Sequence, residues 1–323
     1  MFLTDHPHEL PRLIVQAREL NKLRGTFLQG LLKHNTNGRI HAHINQIRSD
    51  SGGTVSGRFS YNHPNLQQIP SRGQFAQEIR KLFIPEIGEY WLKADYSQQE
   101  PRLLTHWACL VGQMGAEEVK EAYKKSDLDF HQQTADMAGV ERRLAKTIGL
   151  GVMYGMGYNK MARELDIDPQ DAKKMLQDFR ERVPFMQGML EAVMNRANSK
   201  GIIRTLLGRK CRFDLWEPTQ WGVHKALPHN QAKVEYGEAI KRAGTYKALN
   251  RLIQGSAADQ TKKAMVDVYE ELGVVPLIQV HDELDCSVKN EKEAKEIQRV
   301  METCVELEVP SKADIDLGES WGG

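Results

Sequence analysis

Cysteine is scarce in this 323-residue chain: Cys109, Cys211, Cys286 and Cys304 are all it has, far apart and without a CxxC spacing. That excludes both a thiolate zinc site and a disulfide framework. No apolar run approaches the ~18 residues that a membrane-spanning helix requires, so no membrane role is expected. The first residues, from Met1 to Asp5, lack the basic segment, apolar stretch and cleavage site of a secretory signal, and the expected location is cytoplasmic. Charge of one sign is missing too. A net charge of +1 neither favours nor excludes nucleic acid, because such an enzyme needs a positive groove and not a positive surface. What is present is 40% hydrophobic and 27% charged residues, in a length sufficient for two or three lobes with separate cores.

Apolar residues at helical spacing with basic residues between them predict a helix over Leu10–Lys33, ended by the turn Asn35-Thr36-Asn37-Gly38. The stretch Ser49–Pro70, rich in Ser, Gly, Asn, Gln and Pro, reads as turns. Glu89–Ala94 suits a short strand, and Gln98–Leu110 a helix entered after Asp95-Tyr96-Ser97. Leu128–Gln254 reads as mostly helical, broken at Gly155-Met156-Gly157, at Asp168-Pro169 and over a polar segment from Trp216 to His229. Val274–Val280 and Glu283–Val288 read as strands of a hairpin with His281-Asp282 at its tip. The tail from Lys289 to Gly323 reads as helical at first and then acidic and irregular, and no internal repeat is visible.

Three segments carry chemistry. Asp95 stands where a strand end offers a carboxylate and a neighbouring backbone carbonyl, both oxygen ligands suited to magnesium. Asp282 and Glu283 put two carboxylates at a hairpin tip, and either segment taken alone is more often a solvated turn than a metal site. Arg142, Lys146, Leu150 and Tyr154 recur every four residues, with Gly155 following, which stacks two cations and a ring on one helical face. Cations one turn apart repel unless an anion lies beside them. A triphosphate would satisfy them, and a solvated basic face is the alternative.

Those three segments, in this order, resemble the three sequence motifs of the family A DNA polymerases, the group of bacterial polymerase I and the phage replicases. Ser56-Gly57-Arg58-Phe59-Ser60 with Asn65-Leu66-Gln67-Gln68-Ile69-Pro70, and the run Asn250–Asp259 with Gln254-Gly255, resemble the segments of that family that touch the primer-template minor groove. Arg18 and Lys22 resemble residues at the base of the thumb that hold the duplex backbone. The resemblance runs from about Ile14 to the C-terminus.

It implies an α+β right-hand fold: an antiparallel-sheet palm with an inserted helical fingers lobe, and a thumb that is largely absent. The divisions it implies are a thumb-base remnant over 1–34, palm over 35–112, fingers over 113–240 and palm again over 241–323, bearing the catalytic hairpin. Asp95, Asp282 and the carbonyl of Tyr96 would hold two magnesium ions, with manganese as a substitute and Glu283 in support. Arg142, Lys146 and His131 would meet the triphosphate, and Lys146 would protonate the leaving pyrophosphate. Gln98, Glu100, Leu150 and Tyr154 would surround the nucleotide, Glu100 filling the space of a 2′-hydroxyl. Arg58, Asn65, Gln67, Asn250, Gln254 and His281 would face DNA, the minor groove offering acceptors at similar places in every correct pair. Phosphate contacts by Arg18 and Lys22 would make binding salt-dependent.

The implied activity is template-directed DNA synthesis on primer-template DNA from deoxynucleoside triphosphates. A single-subunit RNA polymerase, which Glu100 argues against, and a module that binds without turnover are the alternatives. The chain departs from the family at Leu150, where Phe or Tyr is usual, and at Tyr246, where relatives often place Arg. It also begins near the thumb base, so the expectation is no proofreading exonuclease here, with another chain supplying thumb or exonuclease, or a longer parent, left open. Leu150 and the short form fit a phage or phage-like origin.

Overall fold

A computed structural model describes residues 8–49, 52–73, 75–125, 128–220 and 222–323. Its centre is a four-stranded antiparallel sheet, in the order Ile278–Val280, Glu283–Val288, Tyr90–Tyr96, Ala313–Gly318. Side chains alternate across a strand, so Leu92, Ala94 and Tyr96 point one way together with Leu284, Cys286, Val288 and Ala313. That face is covered by the helices Ala248–Leu272 and Glu291–Thr303, through Ala264, Val268, Ala294, Ile297, Val300 and Met301. On the opposite face Trp91 and Ile278 pack with Phe27, Leu31, Tyr61, Ile79 and Trp321. Each large apolar side chain so buried stabilises the fold by about 1.5–3 kcal/mol, which makes this doubly covered sheet a rigid base.

A second core is almost wholly helical. It gathers Leu104, Phe130, Ile148, Met153, Met161, Phe179, Phe185, Met186 and Met189 from helices between Gln99 and Lys200. The punctuation is local: Asp168 caps the helix Pro169–Arg182, whose first residue is a proline that lacks only an N–H no helix would use. Gly139 and Gly201 end their helices in the left-handed region. The two cores alternate along the chain, since strands of the central sheet come from both sides of the helical block.

The structure corrects the sequence reading at four places. The helix expected over Leu10–Lys33 is interrupted: regular over Glu9–Lys22, where it buries nothing, it widens to a π turn over Leu23–Gln29, where Phe27 enters the core, and resumes over Gly30–Leu32. Ser49–Pro70 contains a strand, Ser60–Asn62, paired with His43–Asn45. The helical block is interrupted between Lys200 and Ala248, where the hairpin Ile202–Arg204 with Lys210–Arg212 and a three-stranded sheet of Leu215–Pro218, Leu227–Pro228 and Ile240–Arg242 accompany the helix His229–Tyr236. Trp216 there packs with both Arg242 and His229, and the polar segment expected to break the helices is non-helical as read, opening on the strand Leu215–Pro218. The tail is not irregular after its helix, for Ala313–Gly318 is an edge strand whose Ala313, Ile315 and Leu317 face the core while Asp314 and Asp316 do not. The first seven residues of the expected 1–34 segment lie outside the described residues. Among the described residues no helix is long and apolar enough to cross a membrane.

Candidate active site

The sheet register brings the separate acidic motifs together. Asp95 pairs with Glu283 on one side and with Asp314 on the other. Val280 pairs with Glu283, so His281 and Asp282 form a two-residue hairpin loop, and His281 takes the left-handed backbone (φ 58°) that such a loop requires. The Gln279 side-chain amide donates to the His281 carbonyl at 2.6 Å and braces the tip. Tyr96 N–H donates to the Asp282 carbonyl at 3.3 Å, joining the tip to the end of the central strand.

Asp95 is exposed as a residue, yet the protein around its carboxyl desolvates it, and Asp282, Glu283 and Asp314 repel it further; its pKa is pushed up to about 7. Asp282 is also raised, by burial first and by Glu100, against the opposing pull of Arg58 and His281. The repulsion that Asp282, Glu283 and Asp314 exert on Asp95 is of the kind a divalent cation would relieve. Among the described residues no three His, Cys, Asp or Glu side chains are arranged to hold a metal by themselves. Two carboxylates supplemented by a main-chain oxygen are the donor set that fits, and hard oxygen donors favour magnesium or manganese.

Next to the carboxylates stands a connected set. Arg58 Nη2 donates to Glu100 Oε1 at 2.7 Å, and Tyr154 OH donates to Glu100 Oε2 at 2.8 Å. Burial and the Glu100 charge push the Tyr154 phenol up to about 12, while a hydrogen bond from Gln254 acts against them. Four residues distant in sequence are therefore one group, with Glu100 held at both oxygens.

The basic helical face forms a third wall. Asp129 caps the helix Phe130–Ala138, accepting from the N–H groups of His131 and Gln132, and also accepts from Arg142 Nε at 2.7 Å. His131 is lowered by burial and then by the Lys146 charge, which places these three basic side chains in one field. Gln98 joins this wall to the sheet: its amide donates to the Leu128 carbonyl and accepts from Phe130 N–H, at 2.7 and 2.9 Å. Leu150 is half-buried against the helical core.

The remaining candidates are less concentrated. Asn65 caps the short helix Leu66–Gln68, and Gln67 donates to the Gln279 carbonyl at 3.3 Å, so both stand beside the hairpin strand. Asn250 and Gln254 lie one turn apart on Ala248–Leu272. Tyr246 is exposed, with Lys247 over its ring; its carbonyl lies 2.7 Å from where a Cβ on Gly155 would stand, so only glycine fits there. Arg18 and Lys22 lie on the exposed helix Glu9–Lys22, which buries no residue, and the structure does not join them to the carboxylates.

Sequence reasoning missed four contributors. Asp314 was signalled by the alternation Ala313-Asp314-Ile315-Asp316-Leu317, a strand pattern that the acidity of the tail obscured. Trp321 Nε1 donates to Glu283 Oε1 at 3.3 Å and Trp91 Nε1 to Asp285 Oδ1 at 2.8 Å, two stacked indoles beneath the hairpin that nothing local announces. Arg209 bridges the Arg58 and Gln254 segments and carries no local signal either.

Comparison with known proteins assigns this chain a family. The sequence profile of DNA polymerase family A matches residues 2–323. The chain is 39% identical to a DNA-directed DNA polymerase of Pseudomonas phage M6, over 98% of this chain and 52% of that protein. It is 33% identical to the thermostable DNA polymerase I of Thermus aquaticus, over 97% of this chain and 36% of that one. Among solved structures it resembles the polymerase domain of Pol1 from M. smegmatis in complex with DNA primer-template and dNTP, with a TM-score of 0.79 and 29% identity over 98% of this chain and 54% of the other. The chain belongs to DNA polymerase family A. It spans about half the length of the phage relative and about a third of the Thermus one.

Proposed function

We propose that this chain is the nucleotidyl-transfer core of a template-directed DNA polymerase, extending a primer 3′-hydroxyl with deoxynucleotides and releasing pyrophosphate. The observation that carries the proposal is the register that sets Asp95 against Glu283 while Tyr96 N–H holds Asp282; the clustering of His131, Arg142 and Lys146 on the helices Phe130–Ala138 and Arg142–Met153 supports it. The ligands of the M. smegmatis relative, primer-template DNA and dNTP, are the proposed partners here.

In this reading the central sheet is the palm, contributed by 35–112 and 241–323, the helical block over 113–240 is the fingers, and 1–34 belongs to the thumb base. The sheet core is drawn from 35–112 and 241–323 alone, which supports the palm, while the helical core gathers most of its residues from 113–240 and reaches into both palm segments through Leu104, Ala108, Ala248 and Leu252. Asp95 and Asp282 would hold two divalent ions with the Tyr96 carbonyl. When bound, such ions activate the primer hydroxyl and stabilise the leaving pyrophosphate. Arg142 and His131 bind the triphosphate, for which Arg142 exchanges its bond to Asp129, and Lys146 gives a proton to the departing oxygen. Glu100, fixed by Arg58 and Tyr154, excludes a 2′-hydroxyl. Arg58, Gln254, Asn250, Asn65, Gln67 and His281 face the duplex, and Arg18 and Lys22 its phosphates. A phage enzyme of this kind works in the host cytoplasm.

The test is extension of a labelled primer-template by the purified chain with magnesium and four deoxynucleotides, beside Asp282→Asn. The proposal requires extension by the parent and its loss by about a thousandfold in the variant, since metal charge stabilisation is worth several kcal/mol. Equal extension by both, or none by a folded parent, refutes it.

A further inference from the structure

Arg209 lies at the end of the hairpin formed by Ile202–Arg204 and Lys210–Arg212, at a position the proposed chemistry does not use. Its guanidinium joins three segments of chain. Nη2 donates to the Ser56 carbonyl at 2.7 Å and to the Gly255 carbonyl at 2.9 Å, and Nε donates to Asp259 Oδ1 at 3.0 Å. Asp259 is itself fixed, its other oxygen accepting from Leu207 N–H at 3.1 Å, so the anchor belongs to the helix Ala248–Leu272 and to the hairpin at once.

Glycines allow this close approach. A Cβ on Gly57 would stand 2.5 Å from the guanidinium carbon. One on Gly255 would meet Thr205 Cγ2 at 2.5 Å and Arg209 Nη2 at 3.0 Å. Gly57 immediately precedes Arg58 and Gly255 immediately follows Gln254. The fork therefore fastens the backbone within two residues of Arg58 on one side and next to Gln254 on the other. A guanidinium suits the task, having planar donors in fixed directions, whereas a lysine ammonium offers the same charge without that geometry.

We propose that Arg209 is a positioning residue that sets the span between Arg58 and Gln254, and so sharpens discrimination between matched and mismatched primer ends. The inference rests on the proposed minor-groove role of those two side chains. Acceptors occur at similar places in every correct base pair and are displaced in a mismatch, so two donors at a fixed separation test pair geometry, and two that can drift apart do not. Arg209 touches neither reacting atoms nor DNA in this scheme. Its loss should lower selectivity more than matched-end synthesis.

The experiment measures kcat/KM for adding one nucleotide to matched and to mismatched primer ends, in the parent, Arg209→Lys, Arg58→Ala, Gln254→Ala, and Arg209→Lys combined with both alanine changes. Asp259→Asn, which weakens the anchor without removing it, covers the case in which Arg209→Lys does not fold. We expect Arg209→Lys to narrow the matched-to-mismatched ratio about tenfold, in keeping with the loss of one well-made charged hydrogen bond. Asp259→Asn narrows it less, and Arg209→Lys adds little once Arg58 and Gln254 are gone. An unchanged ratio in Arg209→Lys while both alanine variants narrow it, or an equal narrowing with and without those side chains, overturns the role of Arg209. If neither alanine variant moves the ratio, the minor-groove reading fails and takes the inference with it.

Discussion

The main-chain N–H of Tyr96 donates to the carbonyl of Asp282 at 3.3 Å, so two strand ends far apart in sequence meet at the point where each carries a carboxylate. That meeting has an energetic cost. The folded protein holds the Asp95 proton up to about pH 7, against an ordinary value of 3.8, because burial and its neighbours disfavour the charge. A carboxyl raised in the folded state contributes stability below its unfolded pKa and loses it as pH rises through the folded one. Without divalent cations the parent should lose melting temperature between about pH 4 and pH 7. Asp95→Asn should melt higher than the parent at pH 8, with the gap closing toward pH 4, and added magnesium should raise the parent more than the variant. Differential scanning calorimetry across pH decides; an Asp95→Asn protein that melts lower at pH 8 would contradict the repulsion.

Glu100 has both oxygens bound, by Arg58 and Tyr154, and is therefore a fixed wall and not a mobile side chain. Glu100→Ala is expected to reduce preference for deoxyribonucleotides over ribonucleotides by about 10- to 200-fold, the range one steric contact supplies. Tyr154→Phe, which leaves one Glu100 oxygen without its donor, should give a smaller loss in the same direction. Single-nucleotide incorporation from both sugars measures it, and unchanged preference in Glu100→Ala removes the wall.

Asp129 accepts from Arg142 Nε at 2.7 Å, a bond that competes with an incoming triphosphate for the same guanidinium. Asparagine caps a helix as well as aspartate does, so Asp129→Asn preserves the helix Phe130–Ala138 while giving up the charge. The KM for deoxynucleotides should fall about fivefold, equivalent to about 1 kcal/mol. A rise in KM would show that Asp129 positions Arg142 for the triphosphate and does not compete for it.

Lys146 shares the field of His131 and Arg142. If it protonates pyrophosphate, Lys146→Ala slows incorporation by about 10² to 10⁴ while nucleotide affinity changes much less. Single-turnover kinetics separate the two, and equal losses would assign Lys146 to binding alone.

Leu150 packs against the helical core with no ring or hydroxyl to offer a bound sugar. Leu150→Tyr is expected to change the incorporation of 3′-deoxy terminators relative to normal nucleotides. A ratio equal to that of the parent in a primer-extension assay would show that this position does not sense the 3′ carbon.

Local rules were enough for the elements that carry their own punctuation. Asp168-Pro169, read as a break, starts a helix, and the two-residue tip His281-Asp282 follows from strands whose alternation is plain. They failed where the pattern was weak or masked: the short strands between Ile202 and Arg242, and the acidic edge strand Ala313–Gly318 with Asp314. A strand of three residues has too few alternations to register, and an acidic run reads as solvated until a partner strand is known.

The sequence by itself determined the chemical inventory: carboxylates at a strand end and at a hairpin tip, cations every fourth residue on a helix, and glycines beside Arg58 and Gln254. It also carried the family, because those motifs recur in order. Only the tertiary structure decided that Asp95 stands against Asp314 as well as Glu283, that Glu100 is bound by both Arg58 and Tyr154, and that Arg209 fastens Ser56 to Gly255. Side-chain pattern along a strand or helix is set by neighbours within a few residues, whereas these contacts depend on sheet register and on how two cores pack, which no short window contains.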